Sequence, residues 1–130
     1  MCSSDLYQKF ASMLLSGGRY SGGRLIGRKT FDLMTSNHLG GDLASRGQSH
    51  FAETTFHGIG FGLGLAVMLD PAKAKILGNA GEFNWGGMAS TTFWVDPAED
   101  LTAILMTQLY PSSTYTLRRQ LRVLTYQALV

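Results

Sequence analysis

Cysteine, proline and charged residues are all scarce in this sequence of 130 residues, which contains one cysteine, three prolines and 15% charged residues. The single cysteine, Cys2, excludes an internal disulfide bond and leaves a thiolate metal site without a second ligand of that type. Hydrophobic residues account for 45% of the chain. This balance is typical of a globular protein with much buried surface and argues against disorder.

Neither the net charge nor the apolar runs indicate a nucleic-acid or membrane partner. The formal net charge is only +2, and no apolar stretch approaches the ~18 residues that span a bilayer. The basic residues are dispersed except for Arg118, Arg119 and Arg122, which we expect to form a solvated face of the last helix. The chain is therefore predicted to be soluble, with no nucleic-acid partner and no membrane span, and the sequence assigns no compartment to it.

The N-terminus contains neither the basic segment nor the apolar segment of a signal peptide. Residues 2–6 read Cys-Ser-Ser-Asp-Leu, which resembles the translation of a sequencing-adapter end. We therefore expect residues 1–6 to be a non-native N-terminus that precedes the natural part of the chain, residues 7–130. Recovery of the genomic locus tests this expectation, because a natural reading frame would continue upstream with different residues.

Helical periodicity is present in three segments. The first covers residues 5–16 and the second covers residues 27–34. The third follows a predicted cap at residues 111–113. Its apolar residues are spaced to form one face directed toward a sheet: Leu117, Leu121, Leu124 and Ala128.

Period-two alternation predicts one strand over residues 58–69. Residues 93–95 and 101–107 predict a β-hairpin, because they are rich in aliphatic, aromatic and β-branched side chains and flank a segment of turn residues. In this hairpin we expect Asp96 to be solvated, and Phe93 and Trp94 to divide between core and surface. An antiparallel β-sheet flanked by helices is an α+β fold, and we expect the strand order to follow the sequence.

The tripeptide Trp85-Gly86-Gly87 lies just ahead of that hairpin and places two glycines in an extended stretch. Glycine weakens a strand unless another backbone or a ligand approaches it closely. We therefore expect something to approach the chain at this point. The bland alternative is an ordinary strand that contains glycine and a tryptophan wedge.

Three stretches resemble the serine β-lactamase and penicillin-binding-protein superfamily, and within it the class C-like β-lactamases and the family VIII esterases. Residues 58–65 resemble the Gly-Phe-Gly-Leu-Gly strand of that family, and residues 34–39 resemble a loop after a family helix. Trp85-Gly86-Gly87 resembles the esterase form of a third motif that is Lys-Thr-Gly in many lactamases. The resemblance implies an α+β fold that is the C-terminal part of a β-lactamase/transpeptidase-like fold.

The other two catalytic motifs of the family are absent from this sequence. No serine has a lysine three residues later, as Ser-x-x-Lys requires, and no tyrosine has an asparagine two residues later, as Tyr-x-Asn requires. Ser16 and Ser21 have arginines in the lysine position, and a guanidinium does not act as a base at neutral pH. We therefore expect residues 7–130 to be incomplete and inactive alone, with the missing N-terminal part of the same domain as their partner.

The resemblance also implies a set of site residues. The backbone N–H of Met88 would be one oxyanion-hole donor, and Trp85, Gly86, Gly87 and Ser90 would contact the substrate. The implied reaction is attack by a serine to give an acyl-enzyme, followed by hydrolysis, with no metal and no organic cofactor. The implied substrate is a small-molecule ester, amide or β-lactam-like compound. Trp85 in the lysine position favours an esterase or an amide or peptide hydrolase over a true lactamase, because tryptophan cannot hold a carboxylate by charge.

Other candidate sites are weaker. The glycines of residues 58–64 do not match the dinucleotide-binding spacing G-x-G-x-x-G. His38, His50 and His57 match no zinc-binding pattern, and we expect them at the surface or in loops. Two other functions stay open: a non-catalytic module of the same superfamily that binds peptides or glycans, and an independent α+β domain whose resemblance is coincidental.

Overall fold

The computed structural model describes residues 3–51 and 53–130, and of Ser3 it describes only the backbone. Met1 and Cys2, which belong to the segment predicted to be non-native, lie outside the described residues. The helices are α1 (Ser3–Leu15), α2 (Arg28–Met34), α3 (Pro71–Ala74) and α4 (Leu117–Gln127). The strands are β1 (Arg19–Tyr20), β2 (Gly23–Arg24), β3 (His50–Phe51), β4 (Thr54–Thr55), β5 (Ile59–Phe61), β6 (Ala66–Met68), β7 (Phe83–Gly86), β8 (Thr92–Asp96) and β9 (Leu101–Leu105).

The main sheet has five strands in the order β5-β6-β7-β8-β9, and every neighbouring pair is antiparallel. The strand order therefore follows the sequence, and the predicted α+β fold is confirmed. The hairpin predicted from residues 93–95 and 101–107 is also confirmed, with Trp94 opposite Ala103 in the register. Two further hairpins, β1–β2 and β3–β4, lie outside this sheet.

The single strand predicted over residues 58–69 is wrong, because the chain turns back within it and forms the hairpin β5–β6. Gly62 and Gly64 lie in the connection between the two strands. Gly64 has a φ of +87°, which is open to glycine and strained for other residues, and a Cβ at Gly62 would overlap the Met34 carbonyl oxygen. The period-two alternation of large and small residues continues through the connection between β5 and β6, and the pattern therefore did not indicate a turn.

Helix α1 packs across β8 and β9 on one face of the sheet. Tyr7 of this helix meets Phe93 edge to face, with ring centroids 5.1 Å apart. Burial of a side chain such as Leu14, which is fully buried, contributes about 1.5–3 kcal/mol to folding. The core on this face consists of Ala11, Met13, Leu14, Leu65, Val67, Phe83, Phe93 and Val95.

Helix α4 packs near the opposite face of the sheet. The Arg122 guanidinium lies over the Trp94 ring, 4.6 Å from its centroid, and the Tyr126 ring stacks near the same tryptophan. Phe93 and Trp94 are therefore both buried, which corrects the expectation that one of them would lie at the surface. The expectation failed because both faces of β8 are covered, so alternation along the strand divides the side chains between two interiors.

The predicted solvated face of arginines on α4 is also corrected. Arg122 is only 8% exposed, whereas Leu124, which was predicted to face the sheet, is 64% exposed. Arg122 forms a two-pronged ion pair with Glu82, with nitrogen–oxygen distances of 2.5 and 2.8 Å, and it also donates to Leu77 O. A guanidinium can be buried in this way because the carboxylate and the carbonyl occupy its donors.

A second carboxylate, Asp96, completes this buried polar network. The Tyr126 hydroxyl donates to Asp96 Oδ2 at 2.6 Å, and the Asn79 side-chain amide donates to the same oxygen at 2.9 Å. Asp96 is fully buried, so the expectation of a solvated turn residue is wrong for it. Burial, followed by the hydrogen bond to Asp96, raises the pKa of Tyr126 well above its ordinary value.

The two outer edges of the main sheet differ. The edge at β5 is bonded by the preceding loop, where His38 N–H donates to Phe61 O and Phe61 N–H donates to Asn37 Oδ1. The edge at β9 pairs with β8 on one side and, among the described residues, with no strand on the other. None of the helices described is long and apolar enough to cross a membrane.

Candidate active site

The segment that follows Trp85 forms a tight turn between β7 and β8, here called the 87–91 turn. Gly87 N–H donates to Thr91 O at 2.9 Å, and Ser90 N–H donates to Gly87 O at 3.2 Å. Ser90 has a φ of +67°. This combination is typical of a three-residue hairpin loop in which a β-turn is followed by one left-handed residue.

Met88 lies at the tip of the 87–91 turn, with its side chain 70% exposed. Its backbone N–H donates no hydrogen bond within residues 3–51 and 53–130. An amide in such a turn is held in place by the hydrogen bonds on either side of it. The turn therefore presents one fixed backbone donor, at the residue that the sequence predicts as an oxyanion-hole donor.

Arg118 of α4 binds the 87–91 turn from the side of the helix. Its Nη2 atom donates to Gly87 O at 2.6 Å, to Thr91 O at 3.2 Å and to Ser112 Oγ at 3.2 Å. The sequence interpretation missed this residue by assigning it to a solvated face. No local pattern could have revealed it, because Arg118 and Gly87 are 31 positions apart in the chain.

The two glycines after Trp85 make room for atoms of the chain itself. A Cβ at Gly86 would lie 3.0 Å from Thr91 O and 3.3 Å from Arg118 Cζ. A Cβ at Gly87 would overlap the hydroxyl of Thr91. The close approach expected at this point therefore occurs, and the groups that approach the two glycines are Thr91 and the Arg118 guanidinium.

A cavity of about 420 Å³ lies between the β3–β4 hairpin, the sheet and α4. Most of its surface is apolar. Four predicted site residues line it, namely Trp85, Gly86, Gly87 and Met88. Its apolar wall includes Phe51, Phe56, Ile59, Ala66, Ile76 and Trp94, and its polar wall includes Asn84, Arg118 and Arg119.

Two predicted substrate contacts differ in their surroundings. Trp85 is 46% exposed, and its ring meets Phe61 edge to face with centroids 5.1 Å apart. Ser90 does not line the cavity. Its side chain is buried, and its hydroxyl donates to Leu109 O at 3.0 Å. The structure thus brings four of the five predicted residues together at the cavity, whereas the Ser90 side chain is buried and bonded to Leu109.

The remaining candidates carry little chemistry. His38, His50 and His57 are all exposed, and His50 lies in strand β3 rather than in a loop. In the part of the chain that the structure describes, no three His, Cys, Asp or Glu side chains are grouped so that they could hold a metal ion.

The chain matches several known proteins in sequence, although no protein-family model matches it. Protein Rv1367c of Mycobacterium tuberculosis is 33% identical over 112 residues, which cover 84% of this chain and 27% of that relative. Esterase EstB of Burkholderia gladioli is 42% identical over 67 residues, which cover 51% of this chain and 17% of the esterase. The chain therefore spans less than a third of the length of these relatives.

Solved structures show the same fold. EstCE1, described as a hydrolase with promiscuous acyltransferase activity, aligns with 95% of this chain and 29% of its own, with a TM-score of 0.71 and 26% identity. Unliganded simvastatin synthase (LovD) of Aspergillus terreus aligns with 88% of this chain and 30% of its own, with a TM-score of 0.64 and 23% identity. The sequence relatives and the shared fold together show that this chain belongs to the β-lactamase/esterase superfamily.

Proposed function

We propose that this chain forms one wall of the active site of a serine hydrolase, an esterase or an amide or peptide hydrolase that works through an acyl-enzyme. The observation that carries the proposal is the Met88 N–H, which no described residue accepts and which the 87–91 turn holds beside an apolar cavity. A fixed donor of this kind stabilises the negative charge that develops on a carbonyl oxygen during acyl transfer.

In the proposed reaction, the nucleophile is a serine outside this chain, in the N-terminal part of the same domain. Its Oγ bonds to the carbonyl carbon and gives its proton to a base, while the carbonyl electrons move to the oxygen beside Met88. Collapse of this tetrahedral intermediate expels the alcohol or amine, which takes up the proton. Water then attacks the acyl-enzyme in the same way and releases the acid.

The Trp85 side of the cavity favours an uncharged ester over a β-lactam. Trp85 provides packing in the position where a lysine would hold a substrate carboxylate, and its neighbour Phe61 extends that apolar surface. The substrate contacts in this proposal are Trp85, Gly86 and Gly87. Ser90 does not contact the substrate in this proposal, because its hydroxyl donates to Leu109 O. It contributes by closing the 87–91 turn with its backbone N–H.

The reading frame upstream of residue 7, read from the recovered genomic locus, provides the first test. We expect it to contain Ser-x-x-Lys and Tyr-x-Asn, and we expect the longer protein to hydrolyse a short-chain p-nitrophenyl ester. Replacement of that serine by alanine should abolish turnover, and the chain of 130 residues should be inactive alone. An upstream frame without both motifs would instead support the non-catalytic module that binds peptides or glycans.

The role of the Met88 N–H is tested by Met88→Pro in the longer protein. Residue 88 follows Gly87 in a turn closed from Ser90 N–H to Gly87 O, and proline is favoured at this second position of such a turn. The substitution therefore removes the donor and keeps the turn, and we expect kcat to fall by about 10²–10³-fold. Met88→Ala retains the N–H and should retain most of the activity. Equal kcat values for the two variants would contradict the proposed role.

A further inference from the structure

Arg118 and the Met88 N–H occupy opposite ends of a single peptide group. The Gly87 carbonyl and the Met88 N–H belong to the same amide, and this peptide bond is trans. In a trans amide the oxygen and the hydrogen point in opposite directions. Arg118 Nη2 donates to the oxygen at 2.6 Å, so the N–H points away from the arginine.

The same guanidinium holds both acceptors that close the 87–91 turn. Gly87 O accepts from Ser90 N–H, and Thr91 O accepts from Gly87 N–H. Arg118 Nη2 reaches each of these oxygens, at 2.6 and 3.2 Å. Movement of either end of the turn would therefore break a bond to a charged donor as well as a backbone bond.

Arg118 is itself held in place by its surroundings. Its backbone N–H donates to Glu53 Oε1 at 3.3 Å, and its Nη2 atom also donates to Ser112 Oγ. The guanidinium lies against the bare backbone of Gly86, where a Cβ would be 3.3 Å from Cζ. The guanidinium is a cation, and it therefore places a positive charge behind the turn.

We propose that Arg118 is a positioning residue that fixes the 87–91 turn and polarises the Gly87–Met88 amide, so that the Met88 N–H becomes a stronger oxyanion donor. Hydrogen bonds in a chain polarise one another, and a charged donor gives the larger effect. The catalytic part of this inference rests on the proposed function. The geometric part, coupling between the arginine and the amide, does not.

The geometric part is tested by NMR on the chain of 130 residues. We expect Arg118→Met to move the Gly87 carbonyl 13C resonance and the Met88 amide 15N resonance upfield, because the oxygen loses a charged donor. Arg118→Lys, which keeps the charge, should give a smaller change. Arg28→Met, which removes an exposed arginine from α2, should leave both resonances in place. Unchanged resonances in folded Arg118→Met would overturn the proposal.

The catalytic part is tested by a double-mutant cycle in the longer, active protein. We expect Arg118→Met to lower kcat about tenfold with little change in KM, a smaller loss than removal of the donor itself. Arg118→Lys should recover part of that loss. In the Met88→Pro background, Arg118→Met should have almost no further effect on kcat, because the N–H through which it acts is gone.

The outcomes separate the two proposals. If Arg118→Met lowered kcat by the same factor in the wild-type and the Met88→Pro backgrounds, the proposal that Arg118 acts through this amide would be overturned. A longer protein without any ester turnover would contradict the proposed function, and the NMR shifts would then still decide whether Arg118 polarises the amide.

Discussion

Gly86 illustrates how a single glycine can be required by a partner distant in the sequence. Its backbone lies against the Arg118 guanidinium and the Thr91 carbonyl. We expect Gly86→Ala to displace Arg118 from the turn and to lower the free energy of unfolding by about 1–3 kcal/mol, the range for overpacked sites. Thermal unfolding followed by circular dichroism measures this change.

Gly23→Ala is the matched control, because Gly23 has an ordinary φ and the nearest atom to a Cβ there is 3.7 Å away. This variant should unfold at close to the wild-type temperature. If both glycine variants lose the same stability, the contact with Arg118 is not the cause.

At the scale of elements, α4 is attached to the sheet by its buried arginine and not by its most regular apolar stripe. Removal of Arg122 leaves the fully buried Glu82 carboxylate without its cation. We therefore expect Arg122→Met to destabilise the fold by about 3–5 kcal/mol. Leu124→Ala should cost less than about 0.5 kcal/mol, because that leucine is mostly exposed. Chemical denaturation of the two variants compares them, and a greater cost at Leu124 would contradict the orientation of α4.

The same network predicts how stability depends on alkaline pH. The pKa of Tyr126 is higher in the folded chain than in the unfolded chain, where tyrosines titrate at about pH 10. The contribution of Tyr126 to stability is therefore complete below about pH 10 and is lost as the pH rises further, because the unfolded state then releases its proton first. Unfolding temperatures measured across this range should fall less steeply for Tyr126→Phe than for wild type. Tyr115→Phe, which removes an exposed hydroxyl, should keep the wild-type slope.

Features that depend on neighbouring residues could be predicted from the sequence, and features that depend on contacts between distant residues could not. The predicted helix over residues 27–34 matches α2, and the last hairpin was found because strand residues flank turn residues. The burial of Arg122 depends on Glu82, which lies 40 positions earlier in the chain. A sequence window that contains only one partner of such a pair indicates a solvated charge.

For the whole molecule, the order of elements and the family were accessible from sequence because the motifs occur in the family's order. The composition of the site was accessible in part. Trp85 and Met88 line the cavity, and their roles toward a substrate stay predictions, whereas the Ser90 hydroxyl donates to Leu109 O, 19 positions away. Whether a side chain in a turn is buried depends on the residues that pack against it, and the spacing of a motif does not show which residues these are.

The edge at β9, which pairs with no second strand in the part of the chain that the structure describes, affects the behaviour of this chain in solution. The strand Leu101–Leu105 has no charged residue and no proline, so its backbone amides and carbonyls can template another strand. We expect the sedimentation coefficient to rise with protein concentration and Ala103→Lys to suppress that rise. A coefficient that is independent of concentration would contradict this expectation. If the expectation holds, the edge at β9, rather than the cavity, sets the concentration at which this chain can be handled as a monomer.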